Sequence, residues 1–581
     1  MSIKLVVRLI ILSAAGYLFS HADPVSEEAP IVLPKIVVTD SKLLPIPESW
    51  QYAKTTHFEI LSNASSYKTK YIIKDLLEFT QAVSYIWPAI QPKNTQPPLL
   101  ILCGAGNSYN QFFPTDSGPS TSGGASLSLR NKENAAIIID VERPSLNIQS
   151  EDGPGEIEVD YAHQLHREYI HFLLSRIEPR PQPWLEEGLA QMLAALKYSD
   201  TLIEFGKLPD PNEVSVMQGI AMRDAQLQTI AGSDTSTSDS NSLPSIDPGP
   251  NEDKAFNAAL NRRGLLPMEK IFSVERKSEE ALNTIGDTWS KQCWMFVHLC
   301  LYGEHQKYQK AFFKFVARSE HEPITEQLFK ECFNMSYKDM LMVFRGYIQW
   351  TSYKSIEMHP KDGKIPPVTT ANFREASDAE VGRIKGEALR MSGHTDAAHL
   401  ALIAPYVRGS LDPNLLASIG LDELESGDTA RASKFLEKAT QTKTSRARAY
   451  LELGKLRLQE EESKPLAPNG KLDNAQLTRI LDPLFQGRSY LPVFPETYSL
   501  IALAWSNASA VPTEANLRVV AQGVSLFPHN AELLYNTIVL FWHYHPHDEV
   551  LKLCDYAIAT SSSQTDKQSF ESLKSKLISK L

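Results

Sequence analysis

A chain of 581 residues exceeds what one hydrophobic core organises, and its apolar content of 42% is that of ordinary globular proteins, so several folded domains are expected. The formal charge of −11 arises from acidic and basic residues interspersed along the chain without a Lys/Arg block, which leaves no electrostatic footprint for a nucleic-acid partner. Five cysteines, an odd number with no CxxC pair, exclude a dense disulfide framework and read as small buried hydrophobes, with a single disulfide left open.

At the N-terminus Lys4 and Arg8 precede an apolar run from Leu9 to Phe19, and Ser20-His21-Ala22 supplies the small residues of a signal-peptidase site. A signal peptide over 1–22 and export follow as the expectation. The alternative of an uncleaved anchor meets the difficulty that a spanning helix needs about 20 apolar residues. No cysteine for lipidation stands at the cleavage point, and no later stretch is long and apolar enough to span a membrane. Residues 23–54, with Pro24, Pro30, Pro34, Pro45 and Pro47, read as an extended N-terminal segment.

His57 to Leu61 has the character of a strand, and Tyr67 to Trp87 that of a helix whose apolar positions Ile72, Leu76, Phe79, Val83 and Ile86 recur at helical spacing. Two apolar, branched runs, Leu99 to Cys103 and Ala136 to Asp140, predict buried strands, and Gly104 to Gly124 between them predicts a long loop. The order is strand, helix, strand, strand.

The chemistry lies on a predicted helix from Tyr161 to Leu174 and on a second segment, Pro183-Trp-Leu-Glu-Glu-Gly-Leu-Ala-Gln-Met192. A zinc peptidase with the pattern HExxH needs two imidazoles four residues apart on one helical face and a glutamate beside the first to activate water. Here the five positions read Arg167-Glu168-Tyr169-Ile170-His171. The base position and the second histidine are present, and the first ligand is arginine. The two segments together resemble the gluzincin-type peptidases, in particular bacterial peptidase MA-like domains, in which HExxH is followed by a helix beginning W-L-x-E-G-x-A. The resemblance implies an α+β fold over about 55–355, with a small mixed sheet and a helical subdomain, and Trp289 to Leu299 matches a downstream helix of such domains. It also implies that Glu168 holds the general-base position and that Glu187 holds the third ligand position, so that His171 and Glu187 would be the metal ligands if a metal is bound. The same resemblance points the export toward a periplasm.

Arg167 departs from the pattern in a way that matters. Guanidinium has no lone pair to offer a metal, and it repels one. On a regular helix His166 and His171 are about 140° apart, and His163 and His171 roughly 12 Å, so neither pair replaces the missing ligand. The expectation is therefore that Arg167 takes the vacated position as a cation, paired bidentately with Glu187 and also facing Glu168. His163 and His166 read as surface or capping residues, and His298, between Val297 and Leu299, as a core histidine. Cys293 and Cys300 on that same helix would be about 10 Å apart, beyond disulfide reach. No G-x-S-x-G elbow, Walker loop or dinucleotide fingerprint is present. The Ser/Asp/Thr-rich stretch at about 232–254 reads as a disordered insertion, with a lid over the cleft as the alternative.

From about 370 the pattern becomes helical pairs. Gly386, Gly420 and Gly454 are spaced by 34 residues, as are Gly393 and Gly427, which is the tetratricopeptide period. Four to six irregular helix pairs are expected over 370–581, with a break at Glu461 to Asn474 and helices at Thr497 to Ser506 and after Pro528. Such an array buries a continuous seam and offers a concave face to a protein or peptide partner. Taken together, the sequence predicts an exported, non-catalytic peptidase-like binding or scaffold protein with no cofactor. The alternative is a zinc metallopeptidase in which Glu168 acts as base and His171 and Glu187 hold the ion with an unorthodox further ligand. A purely structural module without a retained cleft is the third reading.

Overall fold

The computed structural model describes residues 31–36, 44–91, 96–104, 106, 108–115, 126–131, 133–142, 145–150, 153–158, 161–177, 180–206, 264–276, 278, 281, 288–320, 322–348, 355–361, 363–464, 470–561 and 563–579. The expected signal peptide at 1–22 and the expected insertion at 232–254 lie outside these residues. The chain divides into two compact units: one runs from Pro47 to Ala398 apart from residues 94–96, and the other takes residues up to Ile46, residues 94–96 and His399 onward. No helix among the described residues is long and apolar enough to cross a membrane.

The first unit is mixed α and β. Its strands are β1 (Gln51–Lys54), β2 (Glu59–Ser62), β3 (Leu99–Cys103), β4 (Ser126–Arg130), β5 (Ala135–Asp140) and, far along the chain, β11 (Arg374–Glu375), in the sheet order β11-β1-β2-β3-β5-β4. β2, β3 and β5 run parallel, while β1, β4 and β11 are antiparallel to their neighbours. Leu99 through Cys103 and Ala135 through Ile139 are buried at every position, which is why these central strands read as unbroken apolar runs. β1 and β4 do not stand out in the sequence, because a four-residue Gln-Tyr-Ala-Lys and an alternating Ser-Leu-Ser-Leu-Arg are too short and too polar. Residues 51–54, expected within an extended segment, are thus a strand paired on both sides. A two-stranded hairpin, β6 (Ser145–Ser150) with β7 (Gly153–Glu158), and a small sheet of β8 (Lys197–Tyr198), β9 (Ile203–Phe205) and β10 (Ile356–Met358) complete the β structure of the described residues.

Helix α1 (Ser66–Ile86) connects β2 to β3, its N-terminus capped by the Ser65 side chain accepting from the Lys68 amide. Its apolar stripe, Ile72, Leu76, Phe79 and Val83, packs with Leu100, Leu102, Ile137 and Ile139 of the sheet and with Leu165, Tyr169 and Leu173 of α2 (Tyr161–Leu174). A second core gathers α3 (Pro183–Ala194), α4 (Met268–Ser273), α5 (Thr288–Tyr302), α6 (Gln309–Ser319), α7 (Glu326–Phe333) and α8 (Tyr337–Ile348) around Trp184, Trp289, Phe296, Phe315 and Phe329. Helix α3 serves both cores: Ala190 and Leu193 face the sheet side, Trp184 and Met192 the helical side. Gly188 permits its close approach to α5, since a Cβ there would lie 2.5 Å from Val297 Cγ2 and 2.8 Å from the Cys293 carbonyl oxygen. All five cysteines are free, and Cys293 and Cys300 are both buried on α5.

Helix α9 (Asp378–Met391) belongs with the sheet-bearing unit, because Arg383 binds Glu59 of β2 and Lys385 binds Glu48. The compact boundary therefore falls later than the composition change near 370. The second unit is a run of helices: α10 (Thr395–Val407), α11 (Pro413–Glu425), α12 (Thr429–Gln441), α13 (Ala447–Glu462), α14 (Asn474–Gly487), α15 (Pro495–Ser506), α16 (Glu514–Leu526), α17 (Ala531–Phe541), α18 (His547–Thr560) and α19 (Gln564–Ile578). Gly393 and Gly427 precede α10 and α12 with the same φ of +87°, a backbone conformation that glycine adopts without cost. Gly420 on α11 faces Leu436 of α12, and Gly454 on α13 faces Leu484 of α14, in each case with no room for a Cβ. The 34-residue spacing thus records two recurring needs, a left-handed turn and a close helix crossing. The array lengthens between Glu462 and Asn474, where the spacing breaks, and α14 restarts on an Asp473–Gln476 capping box.

Candidate functional site

On α2, residues 167 and 171 are four apart and share a helix face, while 168 is displaced by one position toward β4. On α3, Glu186 and Glu187 sit in the first turns, and Gln191 lies one turn beyond Glu187. The packing of α2 on α3, and of α3 on α5, brings these side chains into one buried polar seam.

Arg167 is at its centre. Its Nε donates to Glu187 Oε1 at 3.1 Å, its Nη2 to Glu187 Oε2 at 2.7 Å, and its Nη1 to Glu168 Oε1 at 2.9 Å. The guanidinium-bearing residue is 8% exposed, Glu168 7% and Glu187 2%. Glu187 accepts further from His171 Nε2 at 2.9 Å, from Gln191 Nε2 at 2.9 Å and from the Ser290 hydroxyl of α5. Burial pushes the Glu187 carboxyl upward, but the charge of Arg167 and the His171 contact outweigh it and hold the carboxyl well below the ordinary range.

His171 faces a carboxylate on each side, Glu187 through Nε2 and Glu186 Oε1 through Nδ1 at 3.2 Å. An ionised carboxylate only accepts, so both ring nitrogens must donate and the ring is an imidazolium. Burial and the neighbouring Arg167 lower its pKa, yet the bonds to Glu186 and Glu187 prevail and raise it to about 9. Glu186 is in turn the hub of three cations. Arg180 donates to it through Nη2 at 2.6 Å and Nε at 2.8 Å, and Arg276 binds its Oε2 while also donating to the Pro181 carbonyl oxygen. Burial opposes ionisation of Glu186, but His171 and Arg180 overcome it and set the carboxyl at about 2. Across the seam four cations face three carboxylates.

Glu168 has an asymmetric environment. Its Oε1 meets Arg167 and, at 3.4 Å, the Ser126 hydroxyl of β4, while its Oε2 has no protein partner among the described residues. Among the described residues β4 is the outer strand of its sheet there, bonded to β5 along one edge only.

The structure brings Arg167, Glu168, His171 and Glu187 together. The reading of His163 and His166 as surface or capping residues is corrected: His166 is 6% exposed, stacks on Phe79 with ring centroids 3.8 Å apart, and bonds to Asp75, which also accepts from Tyr198. It pins α2 to α1. His163 bonds through Nε2 to Gln191 Oε1, which orients the amide that serves Glu187. His298 is a fully buried core histidine held by Tyr347 and the Gly206 carbonyl. Sequence reasoning missed Glu186, Arg180, Arg276, Gln191 and Ser290. The spacing of Gln191 from Glu187 was a usable signal; Arg276, ninety residues from its carboxylate, gave none.

No protein-family model matches the chain, and no curated protein does. Among solved structures it aligns with a thermophilic tetratricopeptide-repeat protein of Thermus thermophilus at 14% identity, covering 34% of this chain and 98% of that one. The TM-score is 0.24, so this likeness carries no argument.

Proposed function

We propose that this chain is an exported, non-catalytic binding or scaffold protein, in which a gluzincin-like frame surrounds an ion pair in place of zinc and the tetratricopeptide-like helices recruit a protein partner. The observation that carries the reading is the Arg167 fork, with two donors on Glu187 and one on Glu168. Zinc needs lone pairs from neutral imidazole and carboxylate. Arg167 has none, and both nitrogens of His171 are committed as donors, so this donor set does not fit the ion. Without a metal-bound water Glu168 has no nucleophile to activate.

A site beside a sheet edge still has a use. The open edge of β4, with Ser126 beside the unpartnered Glu168 oxygen, suits an extended peptide that adds a strand and places an amide near that carboxylate. The repeat reading rests on the shared turn geometry at Gly393 and Gly427 and the matched helix crossings at Gly420 and Gly454. Export to a periplasm rests on residues 4–22 and on the resemblance alone.

The test is the metal content of the purified mature protein, by plasma mass spectrometry, beside an Arg167→His variant prepared identically. The expected result is a metal-free natural protein and about one zinc per chain in the variant. Stoichiometric zinc in the natural protein overturns the reading and favours the metallopeptidase with an unorthodox ligand set.

A further inference from the structure

The seam has a second polar feature that the Arg167 ion pair does not use. Arg180 and Arg276 reach Glu186 from different parts of the chain and converge on the same oxygen, Oε2, while His171 holds Oε1 from within. The Glu186 side chain is 4% exposed, whereas those of Arg180 and Arg276 are 26% and 31% exposed, so the two guanidiniums form the outer, solvent-reaching wall. His171 is shared with Glu187, which leaves Glu186 between two guanidiniums and the seam with one more cation than carboxylates. Guanidiniums this close repel one another, and at Arg276 that push from Arg180 adds to burial, the larger cause, in lowering its pKa against the pull of Glu186.

The donor count leads the same way. Arg180 spends Nε and Nη2 on Glu186, and Arg276 spends Nη1 on Glu186 and Nη2 on the Pro181 carbonyl. Arg180 Nη1 and Arg276 Nε have no protein partner among the described residues, and neither atom is sealed from solvent. Two convergent planar donors with spare N–H groups match the geometry of an oxyanion, which guanidinium binds in forked fashion. In a chain of net charge −11 this local excess of positive charge is an exception rather than a continuation of the surface.

We infer that Arg180 and Arg276 form an oxyanion-binding site at the mouth of the seam, taking the carboxylate of a peptide or a free phosphate. Neither arginine occupies a position of the HExxH-like motif, so the site stands whether or not its neighbour holds zinc. Glu186 is the internal competitor for the same donors.

Isothermal titration calorimetry on the full mature chain tests it, with three probes: inorganic phosphate, a short neutral peptide ending in a free carboxylate, and the same peptide amidated. Binding of phosphate alone assigns a free anion, and binding of the acid peptide but not the amide assigns a peptide carboxylate; either supports the site if it weakens about tenfold or more in Arg180→Gln/Arg276→Gln. Because that double variant strips Glu186 of partners and can fail to fold, Arg180→Lys/Arg276→Lys keeps the charge and loses the fork. It should stay folded and still lose about threefold or more. Glu186→Gln, which removes the competitor, should tighten the probe about threefold. No binding of phosphate or acid peptide to the natural protein overturns the inference, as does an affinity unchanged in a folded double variant.

Discussion

Replacing Arg167 with methionine removes the cation and keeps most of the side-chain volume, which isolates the electrostatic role of the seam. Removing one partner of a buried ion pair costs about 3–5 kcal/mol, because the other charge is left buried. Here Glu187 keeps His171, Gln191 and Ser290 as donors, which sets the expectation at the lower end, about 3 kcal/mol. Glu168 loses its only charged contact among the described residues but has an oxygen without a protein partner there, so it adds little. Hydrogen exchange read by mass spectrometry on peptides spanning 161–194 is the suitable assay, since it reports this unit without the helical array. At about 1.4 kcal/mol per tenfold, exchange of the protected amides in α2 and α3 should accelerate roughly 100-fold. Acceleration of less than about threefold would refute the view that the Arg167 fork binds the two helices together.

His171 gives a pH signature. Its folded pKa, about 9, lies above the ordinary 6.5, so its contribution is fully present below pH 6.5 and is lost as pH rises through 9; the difference is worth about 3 kcal/mol, and urea midpoints of natural protein and His171→Gln should converge above that pH. At the acid end Glu186, depressed to about 2, contributes stability above its ordinary range that disappears as pH falls toward 2, a loss that Glu186→Gln should remove from the acid limb of the urea-midpoint profile. Gly188→Ala should destabilise the first unit by about 1–3 kcal/mol by forcing α3 away from Val297 and the Cys293 carbonyl, measured by the same exchange assay. Gly454→Ala should produce a comparable loss confined to α13 and α14, where Leu484 occupies the space, leaving exchange at 161–194 unchanged.

What the sequence disclosed follows from how far each signal reaches along the chain. β3, β5, α1 and α2 were legible within a residue or two because their apolar periodicity is local and their burial complete. β1 and β11 were not, since a two-residue strand at 374 pairs with one at 51, and nothing in either dipeptide announces the other. The motif residues 167, 168, 171 and 187 were found because helix geometry and chemical type constrain them together. His166 was misjudged for the opposite reason: a histidine on a polar-looking turn of α2 gains a buried aspartate and an aromatic plate only when α1 folds against it. Arg276 is the limiting case, a residue whose role exists only in three dimensions.

The position of α3 has a consequence for how this protein tolerates change. Trp184 and Met192 anchor it to one hydrophobic mass, Ala190 and Leu193 to another, and neither anchor involves the charged residues. The frame is therefore set by oil and the seam is furnished afterwards. Substitutions at 167, 171, 186 and 187 should therefore loosen the seam between α2 and α3 while the apolar anchors at Trp184, Met192, Ala190 and Leu193 still hold α3 against its two cores.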